Sequence, residues 1–217
     1  MTPPVPLGDT FAMPTASLIL FNKPYGVQSQ FRNDGNNDHA TLAPYFTDKS
    51  LRVVGRLDAT TEGLLLLTSD GRLNRAITQP ARGGRQKAHG KTYLVQVEGL
   101  VSDAQLSALR QGVLLKDGMT LPAQAEVVTE DALPMPLWPR NPPIRERKNV
   151  PTTWLMLTIF EGKNRQVRRM TAQVGLPCLR LIRWSVAGFE LGSLAVGQFV
   201  RVHVNSTRYA ELTAPIL

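Results

Sequence analysis

The chain has 217 residues, 42% hydrophobic and 19% charged, enough for one large domain or two small lobes around a substantial core. No apolar run approaches the ~18 residues that cross a membrane, the N-terminus lacks the basic and apolar regions of a secretory signal, and a single cysteine, Cys178, excludes an intrachain disulfide and a cysteine-rich zinc site. The net charge of +8 is concentrated: ten Lys/Arg against two acids fall between Arg140 and Arg183 and the rest of the chain is neutral, the pattern of a polyanion footprint.

Three scattered histidines, His39, His89 and His203, make no metal-ligand spacing. A reducing cytoplasm is the expected setting for a chain with one thiol. Residues 1–15 hold four of the sixteen prolines and no periodic pattern, so a flexible tail is expected there. Ser17 to Val27 reads as a strand ending in a Lys-Pro-Tyr-Gly turn, and Gln28 to Asp38 as a loop. Thr41 to Phe46 reads as a short helix. Arg52 to Arg56 and Gly63 to Ser69 read as strands, with a helix over Gly71 to Gln79 stopped by Pro80.

Ala81 to Gly90 is a basic loop without an acid. It leads into a strand, Lys91 to Glu98, with Tyr93, Val95 and Val97 on one face. Ser102 and Gln105 have capping-box spacing for a helix that runs to Gly112 with Leu106 and Leu109 inward. Val113 to Asp117 and Ala123 to Thr129 read as strands. Leu133 to Pro151 carries six prolines and four basic residues on a stiff extended loop with Trp138. Thr152 to Phe160 alternates as a strand. Lys163 to Val174 has helical spacing, with Val167, Met170 and Val174 on one face and Arg165, Arg168 and Arg169 on the other; Arg168 lies nearest the apolar edge. Leu179 to Trp184 and part of Leu194 to Val204 complete the strands. Many strands, few helices and no regular βαβ alternation predict an α+β fold with a mixed, mostly antiparallel sheet.

The stretch Gly55 to Gly71 organises the rest. Arg56 and Asp58 stand in a short polar loop between Val53-Val54 and the apolar run Leu64 to Leu67. A carboxylate and a guanidinium are thereby held at the mouth of a packed core. The bland alternative is a turn in which Asp58 caps backbone and Glu62 is solvated; Glu62 is expected to shape the turn.

Four ordered patterns resemble one family. Gly55-Arg-Leu-Asp-x-x-Thr-Glu-Gly-Leu-Leu-Leu-Leu-Thr-x-Asp-Gly71 is similar to the catalytic motif of pseudouridine synthases of the RsuA family. Lys91-Thr92-Tyr93, Glu161 to Met170, and Leu181-Ile182-Arg183 resemble its other motifs. The resemblance runs from about Leu18 to Val204. The insertion at 138–148 resembles members that modify one uridine of 23S rRNA near the peptidyl-transferase centre. Many relatives begin with an S4-type RNA-binding domain; the first strand starts too early here for one, so residues 16–217 are expected to be a catalytic domain of two sub-lobes with a cleft between them.

The resemblance implies isomerisation of uridine to its C-glycoside, a reaction that needs no cofactor and no metal. It implies Asp58 as the catalytic carboxylate, as nucleophile or base, with Arg168 as its cationic partner, Tyr93 stacked on the uracil and Leu181 packed against it. Arg56, Lys91, Arg165, Arg169 and Arg183 are expected to bind substrate. Arg82, Arg85, Lys87, Arg140, Arg145, Arg147 and Lys148 are expected to contact RNA from loops. The implied partner is 23S rRNA or an assembling large ribosomal subunit, met by a monomer with no membrane association. Two rivals stand beside this. Asp58 and Glu62 can be read as a paired-carboxylate glycosidase site, although aromatics are only 6% of the chain. A catalytically silent RNA-binding or ribosome-assembly protein is the other; an intact Asp58, Tyr93 and Arg168 argues against it.

Overall fold

The computed structural model describes residues 15–33, 35, 39–79, 89–144 and 150–214. Except for Thr15, the expected tail lies outside them, as do Arg82, Arg85, Lys87, Arg145, Arg147 and Lys148. In chain order the strands are β1 (Ala16–Lys23), β2 (Arg52–Val54), β3 (Glu62–Thr68), β4 (Lys91–Glu98), β5 (Leu114–Leu115), β6 (Gly118–Met119), β7 (Gln124–Val128), β8 (Thr152–Ile159), β9 (Cys178–Val186), β10 (Phe189–Glu190) and β11 (Phe199–Val204). The helices are α1 (Gly71–Thr78), α2 (Asp103–Gln111), α3 (Gln166–Gln173) and α4 (Ser206–Thr213).

Among the described residues nine strands form one sheet in the order β11-β1-β3-β9-β4-β8-β7, with β2 also on β3 and β10 on β9. All its pairings are antiparallel except β3 with β9. That parallel seam joins the two halves and is short, Glu62 opposite Ile182 and Gly63 opposite Arg183. Only glycine fits at 63: its φ is +95°, and a Cβ there would lie 2.5 Å from the Arg183 carbonyl oxygen.

The Leu64 to Leu67 run is apolar throughout because both faces of β3 are covered. Leu65 and Leu67 join Phe21, Val95, Leu157 and Met170 on one side. Leu64 and Leu66 join Val54, Leu73, Ile182 and Trp184 on the other. Unbroken apolar sequence is what a strand buried on both faces requires. Helix ends follow their sequence signals. Asp70 accepts from the Leu73 N–H at 2.9 Å at the start of α1, and Ser102 and Gln105 form the capping box of α2.

Three local expectations fail for physical reasons. Thr41 to Phe46 is not a helix but a single turn, Tyr45 N–H to Leu42 O, too short to repay helix nucleation. Helix α3 starts at Gln166 rather than Lys163, because Arg165 is left-handed (φ 46°) and the Lys163 N–H donates to the Gln166 side chain. Glu62 does not shape a turn. It is 1% exposed and forms a two-pronged ion pair with Arg180 of β9, 2.9 Å on each oxygen.

The same carboxylate accepts the Trp138 indole N–H at 2.8 Å, and Arg180 donates to the Trp138 carbonyl. Trp138 therefore does not belong to an RNA-contacting loop alone, as the insertion at 138–148 suggests; it is bolted onto the seam. Removing one partner of a buried pair leaves a stranded charge. Glu62→Gln is expected to destabilise the chain by roughly 3–5 kcal/mol, and Trp138→Phe, which removes one hydrogen bond to a charged acceptor, by about 1.5–3 kcal/mol, both read from urea unfolding midpoints.

Candidate active site

The loop between β2 and β3 carries Asp58, and its backbone is pinned from several directions. Arg183 donates to the Gly55 carbonyl at 3.2 Å. The Ser29 hydroxyl donates to the Leu57 carbonyl (2.8 Å) and accepts from the Leu57 N–H (3.0 Å). The Ala59 carbonyl accepts from the Gly26 N–H (2.8 Å) and from Lys23 Nζ (3.3 Å). Arg168 donates to the Thr60 carbonyl at 2.8 Å. The turn closes on itself through Thr61 N–H to the Asp58 carbonyl.

Asp58 itself faces a cavity of about 690 Å³ whose lining includes Arg56, Tyr93, Arg165, Leu181 and Lys91. Tyr93 on β4 is opposite Arg183 on β9, and Val95 is opposite Leu181, so sheet pairing brings aromatic and aliphatic side chains to one side. Both Tyr93 and Leu181 are buried. Arg165 lies 3.6 Å from the Asp58 carboxylate, with both side chains partly exposed. Its left-handed backbone places it where the chain turns into α3.

The structure thus reassigns several sequence candidates. The cation paired with Asp58 is Arg165, not Arg168. Arg168 is turned to the Thr60 carbonyl and, more loosely, to Cys178; it braces the loop. Arg183, expected to bind substrate, is 1% exposed and gives its donors to Leu64 and Gly55, with the Tyr93 hydroxyl beside it. It lines the cavity while its donors brace the backbone around it. Arg169 is also drawn away: it forms a bidentate pair with Asp117, at 2.7 and 3.1 Å. Lys91 lines the cavity and donates to the Glu161 carbonyl. Arg56 is an exposed cation at the cavity wall. Arg140 lies outside this cavity, stacked 4.5 Å over the Tyr25 ring. Burial pushes the Cys178 thiol above its ordinary range, which disfavours the reactive thiolate.

Two residues of the site escape sequence reasoning. Ser29 carries no sequence signal, since a serine in a polar loop is ordinary until its partner is known. Lys23 reads only as part of a turn. It is fully buried and its Nζ donates to the carbonyls of Pro24 (2.8 Å), Val27 (2.6 Å) and Ala59 (3.3 Å). An apolar strand that ends in Lys-Pro is the signal that could reveal it, because a lysine at the inward end of a buried strand must find acceptors.

Residues 17–173 match the family profile described as RNA pseudouridylate synthase. The chain is 49% identical over 189 residues to the ribosomal large subunit pseudouridine synthase E of Vibrio vulnificus (strain CMCP6), covering 87% of this chain and 76% of that protein. It is 51% identical over 178 residues to the protein of the same name from Xanthomonas axonopodis pv. citri (strain 306), covering 82% and 90%. Among solved structures it is similar to a crystal structure of a pseudouridylate synthase, with a TM-score of 0.68 and 28% identity over 94% of this chain and 76% of that one.

The buried lysine gives the site a pH signature. Burial lowers the Lys23 pKa to about 7, opposed by the Glu62 and Asp58 carboxylates. The unfolded chain then binds more protons than the folded one from about pH 7 up to the ordinary lysine value, so stability rises with pH across that window. Relative to Lys23→Met, the wild-type chain is expected to gain up to ~1.4 kcal/mol per pH unit above about pH 7 and to show no such gain below it, in urea titrations at matched pH.

Proposed function

The chain belongs to the RNA pseudouridylate synthase family, and on that premise we propose that Asp58 is the catalytic carboxylate of an enzyme acting on 23S rRNA of the large ribosomal subunit. The enzyme isomerises uridine in ribosomal RNA to pseudouridine. In that reaction the N1–C1′ bond breaks, the freed uracil turns, and C5 bonds to C1′; C5 gives up its proton and N1 acquires one. Atoms and oxidation state are conserved, so the chemistry calls for no cofactor.

The observation that carries the assignment is a carboxylate on an immobilised loop, beside a cation, over a wall of Tyr93 and Leu181. Asp58 serves the sugar, as nucleophile at C1′ or as base at C2′. Arg165 gives the carboxylate a cationic neighbour at 3.6 Å. Tyr93 offers the detached base a stacking surface, worth roughly 1–3 kcal/mol, and Leu181 keeps water from that face. Arg168, Ser29 and Lys23 act through the loop backbone and hold the carboxylate in place. Arg56 and Lys91 are positioned for phosphate. The names of the relatives support a large-subunit target, and the insertion at 138–148 supports the site near the peptidyl-transferase centre. The enzyme works as a monomer in the cytoplasm, on free rRNA or on a ribosomal particle during assembly.

Mapping pseudouridine in rRNA from cells with and without the gene tests this reading. One large-subunit pseudouridine is expected to vanish and to return with the wild-type gene. Asp58→Asn is expected not to restore it, to lose at least about a hundredfold in rate in vitro, and to keep its RNA affinity. Wild-type turnover by that variant, or an unchanged rRNA map, overturns the assignment. RNA binding is expected to weaken with salt, log K falling by ~0.9 per neutralised phosphate for each decade; a flat titration argues against phosphate-driven binding.

A further inference from the structure

Between α2 and β7 the chain forms the small β5–β6 hairpin, with Leu114 directly opposite Met119. Strand alternation turns Val113 and Leu115 into the core and Leu114 outward. A surface hairpin calls for polar residues at the outward positions. Here they are a leucine and a methionine, 64% and 62% exposed. Scattered exposed apolar residues are ordinary, but these two are a cross-strand pair with adjoining side chains.

The hairpin is held firmly, and by the motif that also lines the catalytic cavity. Lys163 Nζ donates to the carbonyls of Gly118 (3.2 Å) and Met119 (2.9 Å). Arg169 grips Asp117 with both nitrogens. Glu161 accepts the Leu121 N–H at 2.9 Å. At its base the Thr120 side chain accepts the Val113 N–H at 2.8 Å. Lys163 and Arg165 both line the cavity that holds Asp58. Glu161, Lys163 and Arg169, charged side chains of one sequence motif, thus hold the hairpin that carries the apolar pair, and Lys163 links it to the cavity it lines.

Resting on the reading that the substrate is a structured rRNA, we infer that this hairpin is a wedge: Leu114 and Met119 enter the base stack that the target uridine vacates. A uridine inside a stack is out of reach of Asp58 and must be extruded. Rigid apolar side chains inserted between base steps are a known way to hold such a gap open. A neighbouring cation suits the occupant: Lys163 lies against the hairpin at the Gly118 and Met119 carbonyls, where backbone phosphates would pass. The wedge assists extrusion and takes no part in the bond changes at the sugar.

The test compares wild type with Leu114→Ser/Met119→Ser, whose altered side chains face solvent. Unchanged thermal melting shows that the fold is retained, and Leu114→Met/Met119→Leu serves as the conservative variant. Two RNAs carry the mapped uridine with the same neighbours, one as a stem–loop and one as a short linear strand. Single-turnover rates are expected to fall at least about tenfold on the stem–loop, little on the linear strand, and to recover in the conservative variant. 2-Aminopurine beside the uridine is expected to brighten with wild type and stay dim with the double-serine variant. An equal loss on both RNAs, or none on either, overturns the wedge; so does a concentration-dependent mass in wild type that the variant loses, which assigns the pair to self-association. Wild type that converts neither RNA overturns the functional reading itself.

Discussion

The backbone of residues 55–60 has almost no freedom of its own. Carbonyls at Gly55, Leu57, Ala59 and Thr60 each accept from a group outside the loop. Each such bond contributes only about 1 kcal/mol net, but together they tie down the loop on both sides of Asp58. By contrast, the carboxylate meets its cation at 3.6 Å with solvent at both, and exposed pairs of this kind contribute little. The fold invests in where the charge stands rather than in neutralising it. That is what the proposed role of Asp58 at a sugar carbon calls for, a fixed origin and an unblocked head.

The same logic explains the ion pair beneath. Glu62 follows Asp58 by one turn and starts β3. Its two-oxygen grip on Arg180, with the Trp138 indole as a third donor, satisfies a charge that could not otherwise be buried. It also fixes β3 against β9 at the seam where the cavity opens. Lys23 lies close enough to Glu62, Asp58 and Arg183 to feel their charge, so the region under the loop is a compact set of ions of both signs.

Much of the fold is legible from local pattern. The Leu64 to Leu67 run, the Ser102–Gln105 capping box and the alternation of β8 all appear as read. Helix α4 is not among the expected elements, although Asn205 caps it and Tyr209 and Leu212 bury at helical spacing. What local pattern cannot supply is pairing at a distance. Glu62 reads as a turn residue until Arg180, 118 positions on, is seen against it. Arg168 is the partner of Asp58 that the resemblance implies, but Arg165 stands nearer the carboxylate because its left-handed backbone turns it away from the helix that a continuous Lys163 to Val174 pattern assumes. Arg169 looks like a substrate binder because nothing near it in sequence reveals the hairpin it holds.

The parallel seam also fixes when the site comes into being. The contacts that shape it join residues 108, 119 and 128 positions apart, Arg168 with Thr60, Arg183 with Leu64 and Arg183 with Gly55. Such closures carry a large chain-entropy cost and come late in folding. During synthesis Asp58 leaves the ribosome long before Arg168 and Arg183 exist. A nascent chain therefore carries the Asp58 carboxylate without the braces that hold its loop, and the cavity around it is complete only when the last strands close.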